Sequence, residues 1–241
     1  MKGLAASLPP LLEVFRDLFY PPHCSICEKA LSGGLVCASC ESDLPRIVAP
    51  FCPVCSQPML GLRDDSCVNC RNRNYYLQCV VAPYQSKAAV RELVHRFKYG
   101  RSLHLRSLLG QLLFEGMKDA RIRDISFDWI VPVPLHSLKL REREFNQAAE
   151  IGGVLSRLTG IPLQNALKRV RYTPTQTRFD RISRMRNLQG AFKVSKNQPV
   201  SEKTILLVDD VVTTASTLDE CARTFLDAGA RAVYGITVAR G

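Results

Sequence analysis

The stretch Ile205–Thr217, ILLVDDVVTTAST, decides the fold class of this chain. Apolar residues run directly into two adjacent acids, and small or hydroxyl-bearing residues complete the stretch. A continuous apolar run is typical of a strand buried on both faces, as in a parallel sheet covered by helices. We predict a strand over 204–208. Because ligands bind beyond the carboxyl ends of such strands, Asp209 and Asp210 are expected at the functional edge.

Strands and helices alternate on both sides of this stretch. Apolar runs predict further strands over 80–84, 127–134 and 233–239. Apolar residues spaced by three and four predict helices over 90–97, 105–113, 144–158 and 216–226. This alternation indicates an α/β domain with a mainly parallel sheet flanked by helices. Residues 168–189 are too basic and aperiodic for core, and we predict an exposed, mobile loop there.

The front of the chain carries four C-x-x-C pairs, separated by gaps of 9, 11 and 11 residues. Each C-x-x-C turn can place two thiolates on one side of a metal, and two turns complete a tetrahedral zinc site. We therefore predict a small zinc-ribbon domain with two structural zinc ions. The predicted ligands are Cys24, Cys27, Cys37, Cys40, Cys52, Cys55, Cys67 and Cys70.

Other uses of paired cysteines fit less well. A disulfide framework needs an oxidising compartment, for which the chain shows no signal peptide, and a redox motif would be a single pair. An iron–sulfur cluster stays open as a minority interpretation. The spacing also leaves open whether the ribbons are tandem or interleaved. The predicted domains are an amphipathic N-terminal helix within 1–22, a double zinc ribbon over 23–78 and the α/β domain over 79–241.

Charge is distributed unevenly along the 241 residues, whose net charge is +11. Residues 1–79 are formally neutral, with seven basic and seven acidic side chains, so the whole excess lies in residues 80–241. A basic half suggests a phosphate-bearing partner, either a small phosphorylated substrate or nucleic acid, with a solvated basic face as the alternative. No apolar run approaches the ~20 residues that a bilayer span requires, and we expect a cytoplasmic protein.

The residues after the strand suit a ribose phosphate. The turn Thr213–Thr217 opens into a helix, so its backbone N–H groups and hydroxyls can hold one phosphate. Two nearby carboxylates would repel that phosphate, so sugar hydroxyls are better partners for them, with Mg²⁺ neutralising further phosphates. Motifs of P-loop and dinucleotide-binding proteins are absent from the sequence. A strand followed by a simple N-capped helix needs only one hydroxyl, not this cluster.

VDDVVTTAST resembles the phosphoribosyl pyrophosphate (PRPP) signature of type I phosphoribosyltransferases. With the cysteine-rich front, VPVPLHSLKLREREFNQA (131–148) and TPTQTRFDRISRMRNLQGAF (173–192), the chain resembles the ComF competence-protein family over nearly its whole length. The resemblance implies a type I phosphoribosyltransferase-like fold. It also implies Mg-dependent phosphoribosyl transfer with pyrophosphate release, a glycosyltransferase-class reaction that serves DNA uptake in natural transformation.

The resemblance also implies roles for individual residues. Asp209 and Asp210 would be the catalytic acids and would hold the ribose hydroxyls. The 5′-phosphate would bind Thr213, Thr214, Ala215, Ser216 and Thr217, and the pyrophosphate would lie near Pro134, Leu135 and His136. A basic set would cover the site and contact pyrophosphate or DNA: Arg143, Arg169, Arg171, Arg181, Arg184 and Arg186. Asn146 and Gln147 match a family segment that we place at the same edge.

The implied partners are PRPP or a related ribose phosphate, single-stranded DNA, and a DNA-uptake helicase or other competence proteins. The alternative function is a single-stranded DNA-binding module that keeps the PRPP fold without turnover. Two positions depart from the family pattern. Ala215 and Glu144 stand where the family usually has glycine. Alanine can occupy the turn at modest cost if its φ stays negative.

Overall fold

The computed structural model describes residues 22–59, 67–71, 73–100, 102–172 and 188–241. The chain divides after Leu44 into two compact units. The smaller unit contains the first cysteine cluster and helix α1 (Ala38–Ser42), in which the Cys37 thiol accepts a hydrogen bond from the Cys40 N–H at the helix N-terminus. The amphipathic helix predicted within 1–22 falls on 11–19, outside the described residues.

The larger unit is built on a parallel sheet, which confirms the predicted fold class. Its strands are β1 (Val80–Val81), β2 (Tyr84–Gln85), β3 (Trp129–Pro132), β6 (Thr204–Val212) and β7 (Ala232–Arg240). Strand β6 lies between β3 and β7, and both β1 and β2 pair with the other edge of β7. All of these pairings are parallel. Strand β6, which carries the two acids, is therefore one of the two interior strands of the sheet.

Helices cover the sheet. They are α2 (Ala88–Tyr99), α3 (Arg106–Glu115), α4 (Ser137–Arg143), α5 (Gln147–Thr159) and α6 (Ser216–Leu226), with 3-10 turns at Leu103–Leu105 and Gly116–Lys118. The predicted inward face of α2 is confirmed, since Val90, Leu93, Val94 and Phe97 are buried. Cys221 of α6 is fully buried, as predicted.

Strand β6 is longer than the predicted strand over 204–208. Pairing with β7 continues past Asp209, through Val211 opposite Ala239 and Val212 opposite Arg240. The two acids therefore lie within β6 rather than after its end. The cause is non-local, because β7 supplies partners for Asp209, Val211 and Val212, and the apolar run in the sequence does not show this.

Two further elements were missed. Strands β4 (Leu167–Arg169) and β5 (Phe192–Val194) form an antiparallel pair inside or next to the segment predicted as a basic loop. Each is three residues long, with its first residue buried and its lysine exposed. An alternation of three residues is too short to recognise in the sequence. Helix α4 was missed as well, and the helix predicted over 144–158 is α5, which begins at Gln147.

Candidate ribose-phosphate site

A cleft of about 580 Å³ opens at the carboxyl edge of the sheet. Its walls come from the end of α2, the residues after β3, helices α4 and α5, strand β4 and the end of β6. The predicted site residues that line it are Pro134, Leu135, Arg143, Asn146, Gln147, Arg169, Asp209, Asp210 and Thr217. Two of the segments that carry the family resemblance, 131–148 and 208–217, therefore contribute residues to one cavity.

The two acids differ in their surroundings. Asp210 is buried and its carboxylate lies 2.7 Å from the ammonium group of Lys98, in the last turn of α2. Asp209 accepts a hydrogen bond of 2.9 Å from the backbone N–H of Asp210. Burial, together with the neighbouring Asp210 charge, raises the pKa of Asp209 to about 7. One acid is therefore ion-paired, and the other titrates near neutral pH.

Basic side chains also line the cleft. Lys98, Lys139, Arg143 and Arg169 line the cleft, against the acids Glu142, Asp209 and Asp210. Burial lowers the pKa of Lys139, and repulsion from Arg169 and Arg143 lowers it further. Cations placed so close together favour an anionic ligand, whose charge would relieve their repulsion.

Gln147 is a buried polar group at the first position of α5, with 1% of its surface exposed. Its Oε1 accepts a hydrogen bond of 3.0 Å from Arg143, whereas its Nε2 finds no acceptor among the residues that the structure describes. A buried amide donor without a partner costs free energy, which a ligand oxygen in the cleft could recover. Asn146 fixes this corner, because it caps Ala148 and donates to the Val133 carbonyl.

The hydroxyl-rich turn joins β6 to α6. The hydroxyls of Thr214 and Ser216 lie 3.0 Å apart, and the Ser216 N–H points to the Thr214 hydroxyl at 3.4 Å. Ala215 adopts φ +58° and ψ +5°, so the condition of a negative φ is not met. The turn needs a left-handed residue directly before α6, which glycine accepts freely and alanine does not.

Glu144 repeats this pattern at the other departure from the family sequence. It ends α4 with φ +68° and ψ −22°, again in the left-handed region. Its side chain is exposed. Both positions at which the family usually has glycine are thus positions of positive φ.

The remaining predicted residues lie around the rim or outside the described chain. His136 caps α4 through its Nδ1, and its ring meets Tyr172 edge-on at 5.2 Å. Arg171 donates to the Gln189 carbonyl at 3.0 Å. Thr213 is exposed at the turn. Arg181, Arg184 and Arg186 lie outside the described residues.

Sequence reasoning did not name several residues of the cleft, among them Lys98, Tyr99 and Lys139. A cation in the last turn of a helix is the ordinary partner of the helix dipole, so nothing in the sequence distinguishes Lys98. Lys139 lies in a helix that was not predicted. Only the structure shows that Lys98 reaches the acids, through its ion pair with Asp210.

The cysteines form two clusters in sequence order, Cys24, Cys27, Cys37 and Cys40 in one and Cys52, Cys55, Cys67 and Cys70 in the other. Within each cluster the four sulfur atoms lie within 4.8 Å of one another. The ribbons are therefore tandem and not interleaved. Sulfur pairs stand 3.6 and 3.7 Å apart in the second cluster. Four sulfurs bonded to zinc at about 2.3 Å would be about 3.8 Å apart, so both clusters fit tetrahedral zinc.

No helix in the described parts of the chain has the length and apolar character needed to span a membrane.

Comparison with known proteins agrees with this architecture. Residues 15–71 match the double zinc ribbon domain. The chain is 32% identical to competence protein F of Haemophilus influenzae, over 78% of this chain and 82% of that protein. It is 32% identical to the DNA utilization protein YhgH of Escherichia coli K12, over 90% of this chain and 96% of that protein.

A more distant relative is competence protein ComFC of Bacillus subtilis, 29% identical over 85% of this chain and 84% of that protein. Among solved structures, the glutamine PRPP amidotransferase of B. subtilis is 20% identical with a TM-score of 0.38, covering 56% of this chain and 26% of that one. Together, the double zinc ribbon and the relatives matched over most of their length show that this chain belongs to the ComF competence-protein family.

Proposed function

We propose that the cleft binds PRPP with Mg²⁺ and transfers its phosphoribosyl group to an acceptor, releasing pyrophosphate. The observation that carries this proposal is that the paired acids, four basic side chains and Thr217 of the hydroxyl-rich turn line one cleft at the sheet edge. PRPP is a sugar with phosphate groups at two ends, so it needs hydroxyl acceptors between two anion sites. This arrangement of the cleft supports a ligand of that kind.

Each part of the ligand has a suitable partner. The carboxylates of Asp209 and Asp210 would accept hydrogen bonds from the ribose hydroxyls, and the turn Thr213–Thr217 would hold the 5′-phosphate. Pyrophosphate would lie along Pro134 and Leu135, where the cleft also offers Lys139, Arg143 and the free Nε2 of Gln147. Carboxylate oxygens are ligands that Mg²⁺ accepts, and the ion would neutralise pyrophosphate charge.

The proposed reaction is a displacement at the ribose C1. An acceptor nucleophile forms a bond to C1 while the bond from C1 to the pyrophosphate oxygen breaks, and the electron pair leaves with pyrophosphate. Lys139 and Arg143 would stabilise the departing charge, and the acids would stabilise an oxocarbenium-like ribose. The rest of the catalysis is positioning. Because the relatives are named for competence and DNA utilization, we place this activity in DNA uptake.

Substitution of the acids tests the proposal. Asp209→Asn combined with Asp210→Asn should abolish binding of radiolabelled PRPP in equilibrium dialysis. Asp124→Asn removes an exposed acid and is the matched control, which should bind normally. Equal binding by all three proteins would refute the assignment. Pyrophosphate release is then screened with candidate acceptors.

A second candidate function is binding of single-stranded DNA at the rim of the same cleft. Tyr99 and Tyr172 are 58% and 48% exposed, and Arg143 lies over the Tyr99 ring at 5.2 Å. Exposed rings beside cations suit stacked bases and a phosphate backbone. Affinity for an oligonucleotide should then fall steeply with salt and with Tyr99→Ala plus Tyr172→Ala, but survive the double Asp change. An affinity that is insensitive to salt would exclude this function.

A further inference from the structure

Arg73 connects the second cysteine cluster to the hydroxyl-rich turn. It lies three residues after Cys70, and its side chain is 7% exposed. One guanidinium nitrogen donates to the Thr214 carbonyl at 3.0 Å, and the other contacts the Asp219 carboxylate at 3.3 Å. The guanidinium also stacks over the Tyr75 ring at 4.2 Å. Arg73 therefore holds the backbone of the turn directly.

Asp219 strengthens this connection from the side of the helix. It lies buried in the first turn of α6 and accepts hydrogen bonds from the backbone N–H groups of Tyr76, at 2.8 Å, and Leu77, at 3.3 Å. The segment that leaves the second cluster is thus docked on the helix that the turn begins. Tyr75 reaches back to the cluster, since its hydroxyl donates to the Asn69 carbonyl at 3.1 Å.

A second connection reaches the other end of the turn. Arg240, at the end of β7, donates to the Val212 carbonyl at 3.2 Å and to Gln57 Oε1 at 2.8 Å. Gln57 Oε1 also accepts from the Asn69 side chain at 2.9 Å. Gln57 follows Cys55 by two residues, and Asn69 lies between Cys67 and Cys70. The two C-x-x-C turns of the second cluster, called knuckles below, are Cys52–Cys55 and Cys67–Cys70. Both knuckles therefore contribute to this contact.

The two connections hold the carbonyls on either side of Thr213, next to the left-handed Ala215. A strained turn keeps its shape only when its surroundings enforce it. Gln57, Asn69 and Arg73 stand in the right places only if the two knuckles are joined, and metal binding is what joins them.

We propose that the second zinc centre, through Arg73 and Gln57, positions the phosphate-binding turn, so that zinc retention and ligand binding are coupled. The ligand's identity as PRPP rests on the proposed function, but the contacts between the cluster and the turn do not. Coupling of this kind is reciprocal: zinc strengthens ligand binding, and ligand slows zinc release by favouring the joined state. The first zinc centre takes no part.

The experiment compares full-length variants at the two centres. Arg73→Gln should keep both zinc ions by elemental analysis, bind PRPP about tenfold more weakly and show faster amide exchange over 213–217. Arg123→Gln, which alters an exposed arginine, should match the wild type in all three measurements. Unchanged exchange and affinity in Arg73→Gln would overturn the proposal.

The zinc arm uses Cys40→Ser, which disables the first centre so that chelator-induced release reports the second. PRPP should slow that release several-fold, and zinc loss should accelerate exchange over 213–217. If exchange changes but PRPP has no effect on any variant, the coupling stands and the proposed ligand is wrong. If PRPP binds and neither zinc loss nor Arg73→Gln alters the turn, the coupling is wrong and the proposed function stands.

Discussion

Ala215 and Glu144 are non-glycine residues held at positive φ, one at the start of α6 and the other at the end of α4. Alanine in the left-handed region raises the free energy of the folded state by roughly 1–2 kcal/mol relative to glycine. The sequence resemblance marks both positions as unusual, and the structure gives the physical reason. The cost at Ala215 falls on the turn that we assign to the phosphate.

Ala215→Gly is therefore expected to stabilise the protein by about 1 kcal/mol, since glycine adopts this conformation without strain. The thermal midpoint should rise by about 2–4 °C. Ala222→Gly, a buried alanine in the interior of the same helix, is the control and should lower the midpoint instead. A thermal midpoint of Ala215→Gly below that of the wild type would contradict the claim that Ala215 is strained.

Asp209 predicts a pH dependence. Its pKa of about 7 exceeds the ordinary 3.8, so folding favours its protonated form, and its contribution to stability declines as pH rises from about 4 to about 7. Ligand hydroxyls need the ionised form as acceptor. Asp210, Lys98 and Arg169 are the charged groups that act on it.

PRPP affinity should consequently rise by about tenfold between pH 6 and pH 8, as the ionised fraction grows. Calorimetric titrations across this range measure it. Asp209→Asn should flatten the curve to the smaller change that ionisation of the ligand phosphate produces near pH 6. A wild-type curve as flat as that of the variant would show that Asp209 does not titrate in this range.

At the scale of elements, helix α5 positions Gln147 and is itself held by α3. Gly110 of α3 meets Val154 of α5 so closely that an added Cβ would lie 2.4 Å from the valine side chain. Gly153, on α5, has open space apart from the end of Arg157 at 3.8 Å. Close helix packing therefore requires glycine at position 110, whereas position 153 has room for a larger side chain.

Gly110→Ala should destabilise the protein by about 1–3 kcal/mol, because the helices must separate or repack. Gly153→Ala should stabilise it by up to about 1 kcal/mol, because alanine favours the helix and meets no obstacle. Thermal unfolding of both variants distinguishes the two effects. Equal behaviour would mean that the contact between α3 and α5 is not tight.

Elements with long apolar periodicity could be predicted, whereas those that depend on a distant partner could not. The buried face of α2 follows from spacing alone, but the extension of β6 over its acids depends on β7. Strands β4 and β5 are too short to show a period. Asp219 did leave a signal, an acid beside Leu218 on the buried face of α6, yet only contacts reveal its role.

For the whole molecule, the cysteine spacing and the Asp-Asp strand were enough to predict two zinc clusters and an α/β domain. The cleft itself was only half predictable. Asp209, Asp210 and Arg143 were named from the sequence and line it, but Lys98 reaches Asp210 from a helix far earlier in the chain. No local pattern encodes that contact, since it depends on how α2 packs against the sheet.

The central claim is that this cleft binds PRPP in a metal-dependent way, and isothermal titration calorimetry of the full-length zinc-loaded protein tests it most directly. PRPP is titrated in the presence of Mg²⁺, and again after Mg²⁺ is withheld. The account predicts saturable binding of one PRPP per chain with Mg²⁺ and at least tenfold weaker binding without it. No saturable heat under either condition, or affinity that is the same in both, would contradict it.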